Sequence, residues 1–325
     1  MVRDFPNELA ANQQGDRTHF RRIVLPLDGS PVAERAIPYA ETLAQLTGAP
    51  LHLVRVIDPM HPGSALGSML AVDALSLEVW LEGERVAARE YLERLRNDLQ
   101  ARQHQVTVDC VEGSTVNSVL ATIQPGDLLV MATHGRGGPA RWFMGSTAEA
   151  VLRHTTVPVF LVRADESVPS RLTLRRVVVP LDGSEAAEQA LPMARNLANL
   201  MHVPVHLVTV MDVSGIVALD LAVVAISADR LAEDLIVLST EAEDRLAHAC
   251  EQLGETGITA TTDVLHGNPG LAITNATEPG DLIVMTTHGR TGPARWLLGS
   301  VAETVVRRST VPVLLMRVEA EPSSR

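Results

Sequence analysis

The chain has 325 residues, enough for two domains of ordinary size that each bury a core without disulfides or metal. Apolar residues make up 46% and aromatics only 3%, so the core must come from Val, Leu, Ile, Ala and Met, a mix suited to helices packed on a buried sheet. A net charge of −12 works against general binding to nucleic acid or an anionic membrane, and all 27 basic residues are arginine, which removes P-loop, Schiff-base and nucleophilic lysine chemistry together.

Residues 1–20 are polar and mixed in charge, with no apolar core flanked by basic residues, so they read as an extension without a signal peptide. Ile23 to Leu27 is an apolar run that predicts a first strand. Ser30 is placed to cap a helix with Pro31 at its first position, and Ala33, Ala36, Ile37, Ala40, Leu43 and Ala44 form one apolar face. Pro38 is expected to kink that helix. Leu51 to Val56 predicts a second strand, Leu77 to Arg102 a long amphipathic helix, Val106 to Val111 a third strand and Thr115 to Ile123 a short helix. Leu128 to Met131 shows no polar alternation and predicts a strand buried on both faces. A loop leads to a helix near Ser146, and Val157 to Val162 closes the unit as a fifth strand.

The pattern then starts again. Arg22 to Ser30 recurs as Arg176 to Ser184, and Val130 to Trp142 as Val284 to Trp296, at a constant offset of 154 residues. That period is too long for a solenoid repeat, so the copies are whole domains. The expected organisation is an extension over 1–20, a first domain over 21–163, a linker over 164–174, a second domain over 175–318 and a tail over 319–325. Each domain is expected to be α/β, a five-stranded parallel doubly wound sheet with ligand at the carboxyl ends of its strands where the winding reverses. The last strands, Val157 to Val162 and Val311 to Leu315, are expected to meet across a pseudo-two-fold axis, since open apolar edges invite uncontrolled pairing. The apolar stretch Val213 to Ile226 is too short to span a bilayer and reads as a buried helix or a partner surface. Cys110 and Cys250 fall at non-equivalent places, which suits a reduced, cytoplasmic setting.

The loop after the fourth strand reads Ala132-Thr-His-Gly135, nine residues, Gly145-Ser146, and in the second copy Thr286-Thr-His-Gly289, nine residues, Gly299-Ser300. Glycines there would let backbone amides approach a polyphosphate, at a helix whose free N–H groups favour an anion. Ser146-Thr-Ala-Glu149 and Ser300-Val-Ala-Glu303 also fit a capping box, in which the serine oxygen is already occupied. Gly135-Arg-Gly137 spells a dinucleotide fingerprint, but Thr291 replaces Gly137 in the second copy and Pro139 removes a donor. Asp28 and Asp182 could accept from an adenine amino group or a ribose hydroxyl, or could serve the turn alone. His134 and His288 have no triad partners in sequence and read as loop residues rather than bases, while Arg136, Arg141, Arg290 and Arg295 could neutralise phosphate or merely face solvent.

These motifs together resemble the universal stress protein family: the Pro-x-Asp-Gly-Ser strand end, Val56-Ile57-Asp58, the His-Gly-Arg loop closing on Gly-Ser, and the final Val-Pro-Val strand. The resemblance implies an adenine nucleotide α-hydrolase-like fold, domains paired through their last strands and, for one branch, an ATP site. Carried over, the adenosine side would be Pro26, Asp28 and Val56, matched by Pro180, Asp182 and Val210. The phosphate side would be Met131, Ala132, Gly135, Gly145, Ser146 and Thr147, matched by Met285, Thr286, Gly289, Gly299, Ser300 and Val301. Ala132 and Thr286 replace the branch's first glycine, at a cost if that position needs φ > 0 and at little cost if it is extended. The implied function is a nucleotide-responsive stress-response module binding ATP, with or without Mg²⁺ and with no metal held by protein ligands alone. An unnamed protein partner is expected, no nucleic acid or membrane, with room for a homodimer of the whole chain. A slow Mg²⁺-dependent ATPase or phosphotransferase and a nucleotide-free assembly scaffold are the alternatives.

Overall fold

Short Val/Leu/Ile runs bounded by turn residues become strands, and the 3.6-residue apolar pattern between them becomes helices laid on the sheet. The computed structural model of the chain describes residues 20–59, 74–134, 145–164, 173–212, 228–287 and 298–318. The first copy runs β1 (Ile23–Pro26), α1 (Pro31–Glu34), α2 (Ile37–Thr47), β2 (Leu51–Ile57), α3 (Ala74–Ala101), β3 (Val106–Glu112), α4 (Thr115–Thr122), β4 (Leu128–His134), α5 (Ser146–His154) and β5 (Val159–Ala164). The second runs β6 (Arg176–Pro180), α6 (Glu185–Glu188), α7 (Leu191–Met201), β7 (Val205–Met211), α8 (Ala228–Gly254), β8 (Ala260–His266), α9 (Pro269–Asn275), β9 (Asp281–Thr286), α10 (Ser300–Arg308) and β10 (Val313–Met316).

The strands form one ten-stranded sheet in the order β3-β2-β1-β4-β5-β10-β9-β6-β7-β8. All pairs within a copy are parallel, and the copies join through antiparallel β5 and β10, with Phe160 opposite Leu314. Successive strand residues serve opposite faces. Ile23, Leu25, Leu51 and Leu53 pack under α2 and α3 with Leu43, Leu92 and Leu99. Val24, Val54, Leu129 and Met131 pack under α4 and α5 with Val119, Val151 and Leu152. Both apolar layers run across the seam: Val159, Leu161, Val313 and Leu315 share one, and Phe160 and Leu314 the other.

At the amino-terminal side of β4, Arg22 Nε donates to Oδ1 and Oδ2 of fully buried Asp127, at 3.1 and 3.0 Å, and Oδ2 also accepts the Gln124 amide at 2.8 Å. Asp281 and Arg176 repeat the pair at 3.1 Å, with Glu278 N at 2.9 Å.

Three expectations change. Pro38 does not kink one helix; it sits in the first turn of α2, a separate helix from α1, because proline lacks the N–H an interior turn would need. The last strand of the first copy starts at Val159 and that of the second at Val313, two residues later than the apolar runs, since Pro158 and Pro312 supply carbonyls but no amides to the ladder. Ser146 and Ser300 are not N-caps: Gly145 and Gly299 hold that place, and no side-chain cap bond is made. The stretch Val213 to Ile226, the loop residues Gly135, Gly137, Gly289, Arg136, Arg141, Arg290, Arg295 and His288, and the His134 side chain lie outside the described residues.

Candidate functional site

In each copy the strand order reverses between its first and fourth strands, so the loops leaving them diverge and open a crevice at the sheet's carboxyl edge. In the first copy this crevice is a cavity of about 580 Å³. Pro26 and Asp28 reach it from the end of β1, Val54 to Asp58 from β2, Met131 and Ala132 from β4, and Gly145, Ser146, Thr147 and Ala148 from the start of α5. Every first-copy residue carried over from the resemblance thus lines one cavity, apart from Gly135, which lies outside the described residues.

The wall after β1 is a tight turn. Asp28 Oδ1 accepts the Ser30 amide at 2.9 Å, Ser30 Oγ accepts the Ala33 amide at 3.1 Å, and Gly29 bridges them at φ +78°. Ser30 is therefore spent as a cap for α1, while one carboxylate oxygen of Asp28 is not used in that bond. Across the cavity Asp58 Oδ2 accepts both the amide and the hydroxyl of Thr115 at 2.9 Å, capping α4 from another strand's loop. Gly145 takes φ +79°, a backbone that side chains disfavour, and its carbonyl accepts the Glu149 amide at 3.0 Å. Ser146, Thr147 and Ala148, the first turn of α5, line the cavity, where the helix end favours negative charge.

Ala132 lies in β4 opposite Val162 and Thr286 in β9 opposite Met316, both in strand conformation rather than with positive φ. Replacing glycine at these two positions therefore costs the backbone little. Further residues that the sequence did not single out as site residues also line the cavity, among them Arg55, Asp58, Trp80, Glu84 and Thr115. Trp80 and Glu84 stand one turn apart on α3 and line the cavity from that helix. Asp28, Asp58 and Glu84 against Arg55 leave the charged lining of the cavity net acidic.

The second copy repeats the turn, with Asp182 accepting from Ser184 N at 3.0 Å and Ser184 capping α6 through Ala187 N at 3.1 Å. Its phosphate-side corner differs. Gly299 has φ −61°, and its amide donates to Thr287 O at 2.9 Å. Among the described residues no group of three or more His, Cys, Asp or Glu side chains could hold a metal, and no helix is long and apolar enough to cross a membrane.

The profile of the Universal stress protein family matches residues 19–163 and 173–317. The chain belongs to that family. A universal stress protein of Mycobacterium tuberculosis (Rv2623) is 27% identical over 315 residues, covering 91% of this chain and 96% of that protein. The universal stress protein MJ0531 of Methanocaldococcus jannaschii is 35% identical over 145 residues, covering 44% of this chain and 82% of its own length. A crystal structure of a universal stress protein from Archaeoglobus fulgidus superposes with a TM-score of 0.65 at 22% identity, over 92% of this chain and 98% of that one, which shows the shared fold. This universal stress protein is therefore the tandem form, with both halves in one sheet.

Proposed function

We propose that this universal stress protein binds an adenine nucleotide, ATP foremost, at the carboxyl edge of each half, and that occupancy serves regulation rather than turnover. The observation that carries the reading is the corner at Gly145-Ser146: the left-handed glycine, not the serine, takes the cap position, no side chain caps the helix, and Gly145, Ser146, Thr147 and Ala148 at the N–H end of α5 line the cavity. The chemistry of the walls fits the group. Val54, Val56, Ile57 and Met131 supply apolar surface for a base, Asp28 an acceptor for an amino or hydroxyl group, and α5 the donors for phosphate. A volume of about 580 Å³ suits a mononucleotide. In the second half Asp182, Val210, Ser300 and Val301 would take the same parts. No lysine is needed, and Mg²⁺ would arrive on the phosphates.

Regulation enters through α5. Glu149 stands in its first turn, pairs with Arg153 at 2.7 Å, and lies 4.0 Å from Arg307 of the other half. A change in charge at the start of α5 would thus be felt at the seam.

Acid extraction of the purified protein, followed by nucleotide analysis of the extract and calorimetric titration with ATP, ADP and AMP, tests the reading. Bound adenine nucleotide or saturable ATP binding is expected; the absence of both would overturn the reading.

A further inference from the structure

The Asp-Gly-Ser turn is built alike in the two halves but covered from different directions. Gly29 and Gly183 hold left-handed backbone at φ +78° and +76°. A Cβ at Gly29 would stand 3.6 Å from Nη1 of Arg55, a residue of β2. A Cβ at Gly183 would stand 3.3 Å from Nε of Arg245, a residue of α8. These arginines are not equivalent in the repeat. Thr209 occupies the place of Arg55 in the second half, and Tyr91 the place of Arg245 in the first. One guanidinium per turn has been kept while the element that carries it has changed.

We infer that Arg55 and Arg245 are positioning residues that do the same work from non-equivalent positions: each lays its guanidinium on the open face of the glycine and holds the turn so that the Asp28 or Asp182 carboxylate faces the nucleoside end of its site. The consequence for the ligand rests on the nucleotide reading; the effect on the turn does not. The physical basis is complementarity. A glycine without Cβ leaves its peptide face bare, and a planar, weakly hydrated guanidinium can lie flat on it where a lysine ammonium could not. The surroundings also favour one cation. Burial raises the Tyr91 pKa first, the Glu34 and Asp28 carboxylates raise it further, and Arg55 opposes them, so all four groups share one pocket of space. The second half keeps both carboxylates, as Asp182 and Glu188. Tyr91 thus holds, beside Glu34 and Asp28, the first-half place that Arg245 holds in the second.

A transplant tests this. Amide hydrogen exchange at Gly29, Ser30 and Val32 is measured in the full chain as wild type, as Arg55→Thr, and as Arg55→Thr with Tyr91→Arg, the second-half arrangement. Arg55→Thr is expected to raise exchange at the turn roughly tenfold, and the added Tyr91→Arg to restore most of the protection. The reciprocal pair, Arg245→Tyr alone and with Thr209→Arg, should behave alike at Gly183 and Ser184, which guards against one variant misfolding. Unchanged exchange on losing Arg55, or no recovery in the double variant, would overturn the inference. Calorimetry with ATP adds the ligand arm: affinity at the first site should fall roughly three- to tenfold in Arg55→Thr and return with Tyr91→Arg. If exchange rises while affinity stays constant, the link from turn to ligand is overturned. If the wild type binds no nucleotide, the functional reading fails while the exchange result still decides the role at the turn.

Discussion

Arg163 and Arg317 are images of each other across the seam: Arg163 donates to Ser309 O at 3.0 Å, and Arg317 donates to Thr155 O at 2.9 Å. Ser309 and Thr155 are themselves equivalent and buried. Each arginine thus ties the end of one half's last strand to the end of the other half's last helix. Replacing both with alanine removes two charge-assisted bonds at partly buried carbonyls and is expected to lower stability by about 1–3 kcal/mol. Chemical denaturation checks this, and calorimetric unfolding should change from one transition towards two as the halves lose their coupling.

Gly145 and Gly299 should respond differently to the same change. Alanine at Gly145 must hold φ near +79°, at a cost of about 1 kcal/mol or more, whereas Gly299 has φ −61°, where alanine carries no such backbone cost. Denaturation midpoints of the two single variants measure the difference. On the nucleotide reading, Gly145→Asp should also abolish binding at the first site with the fold intact, by placing a carboxylate at a phosphate-binding helix end.

The second half contains a tight helix contact that the first solves in another way. A Cβ at Gly270 in α9 would stand 2.5 Å from the Thr304 side chain in α10; the equivalent first-half pair is Val116 and Ala150. Gly270→Val alone should destabilise by about 1–3 kcal/mol through overpacking. Adding Thr304→Ala should recover most of the loss, and a double-mutant cycle by denaturation should give a favourable coupling.

Stability should fall on the acid side because of two equivalent histidines, His52 buried in β2 and His206 half-buried in β7. His52 and His206 are held below their ordinary pKa of 6.5, first by burial, then by Arg22 and Arg176 respectively, against partial opposition from Asp109 and Asp127, and from Asp263 and Asp281. The unfolded chain therefore takes up protons below pH 6.5 that the folded chain resists, so their contribution is present above that value and is lost as pH falls through the folded pKa. Denaturation from about pH 7 to about pH 5 should show this decline. His52→Gln with His206→Gln should flatten it.

Much of this was legible in the sequence, for identifiable reasons. Apolar runs such as Leu128–Val130 have no polar alternation because both faces of β4 are buried, and the repeat supplied an internal control on every element. Asp28 and Gly145 stood out because they end a strand or open a helix at the switch point, while Val56 came from the family resemblance, and the fold brings all three to one cavity. Trp80 and Glu84 could not: a long amphipathic helix shows which face is apolar, not which turn passes over a strand end. Ser146 was ambiguous because Ser-x-x-Glu fits a cap and an anion site equally, and only the backbone of Gly145 separates them. Arg55 and Arg245 escaped notice because alignment of the copies sets each against a neutral residue, while the match exists only in space.

The antiparallel seam has an evolutionary consequence. In a symmetric pair of identical subunits, any substitution appears at both sites at once, and the pairing dissolves on dilution. Here β5 and β10 belong to one polypeptide, so their pairing is independent of protein concentration and each half carries its own mutations. The exchanges of Arg55 and Tyr91 for Thr209 and Arg245, and of Val116 and Ala150 for Gly270 and Thr304, are the kind of paired drift that such a chain permits. Fusion thereby lets the two halves diverge residue by residue while the strand pairing that joins them is kept.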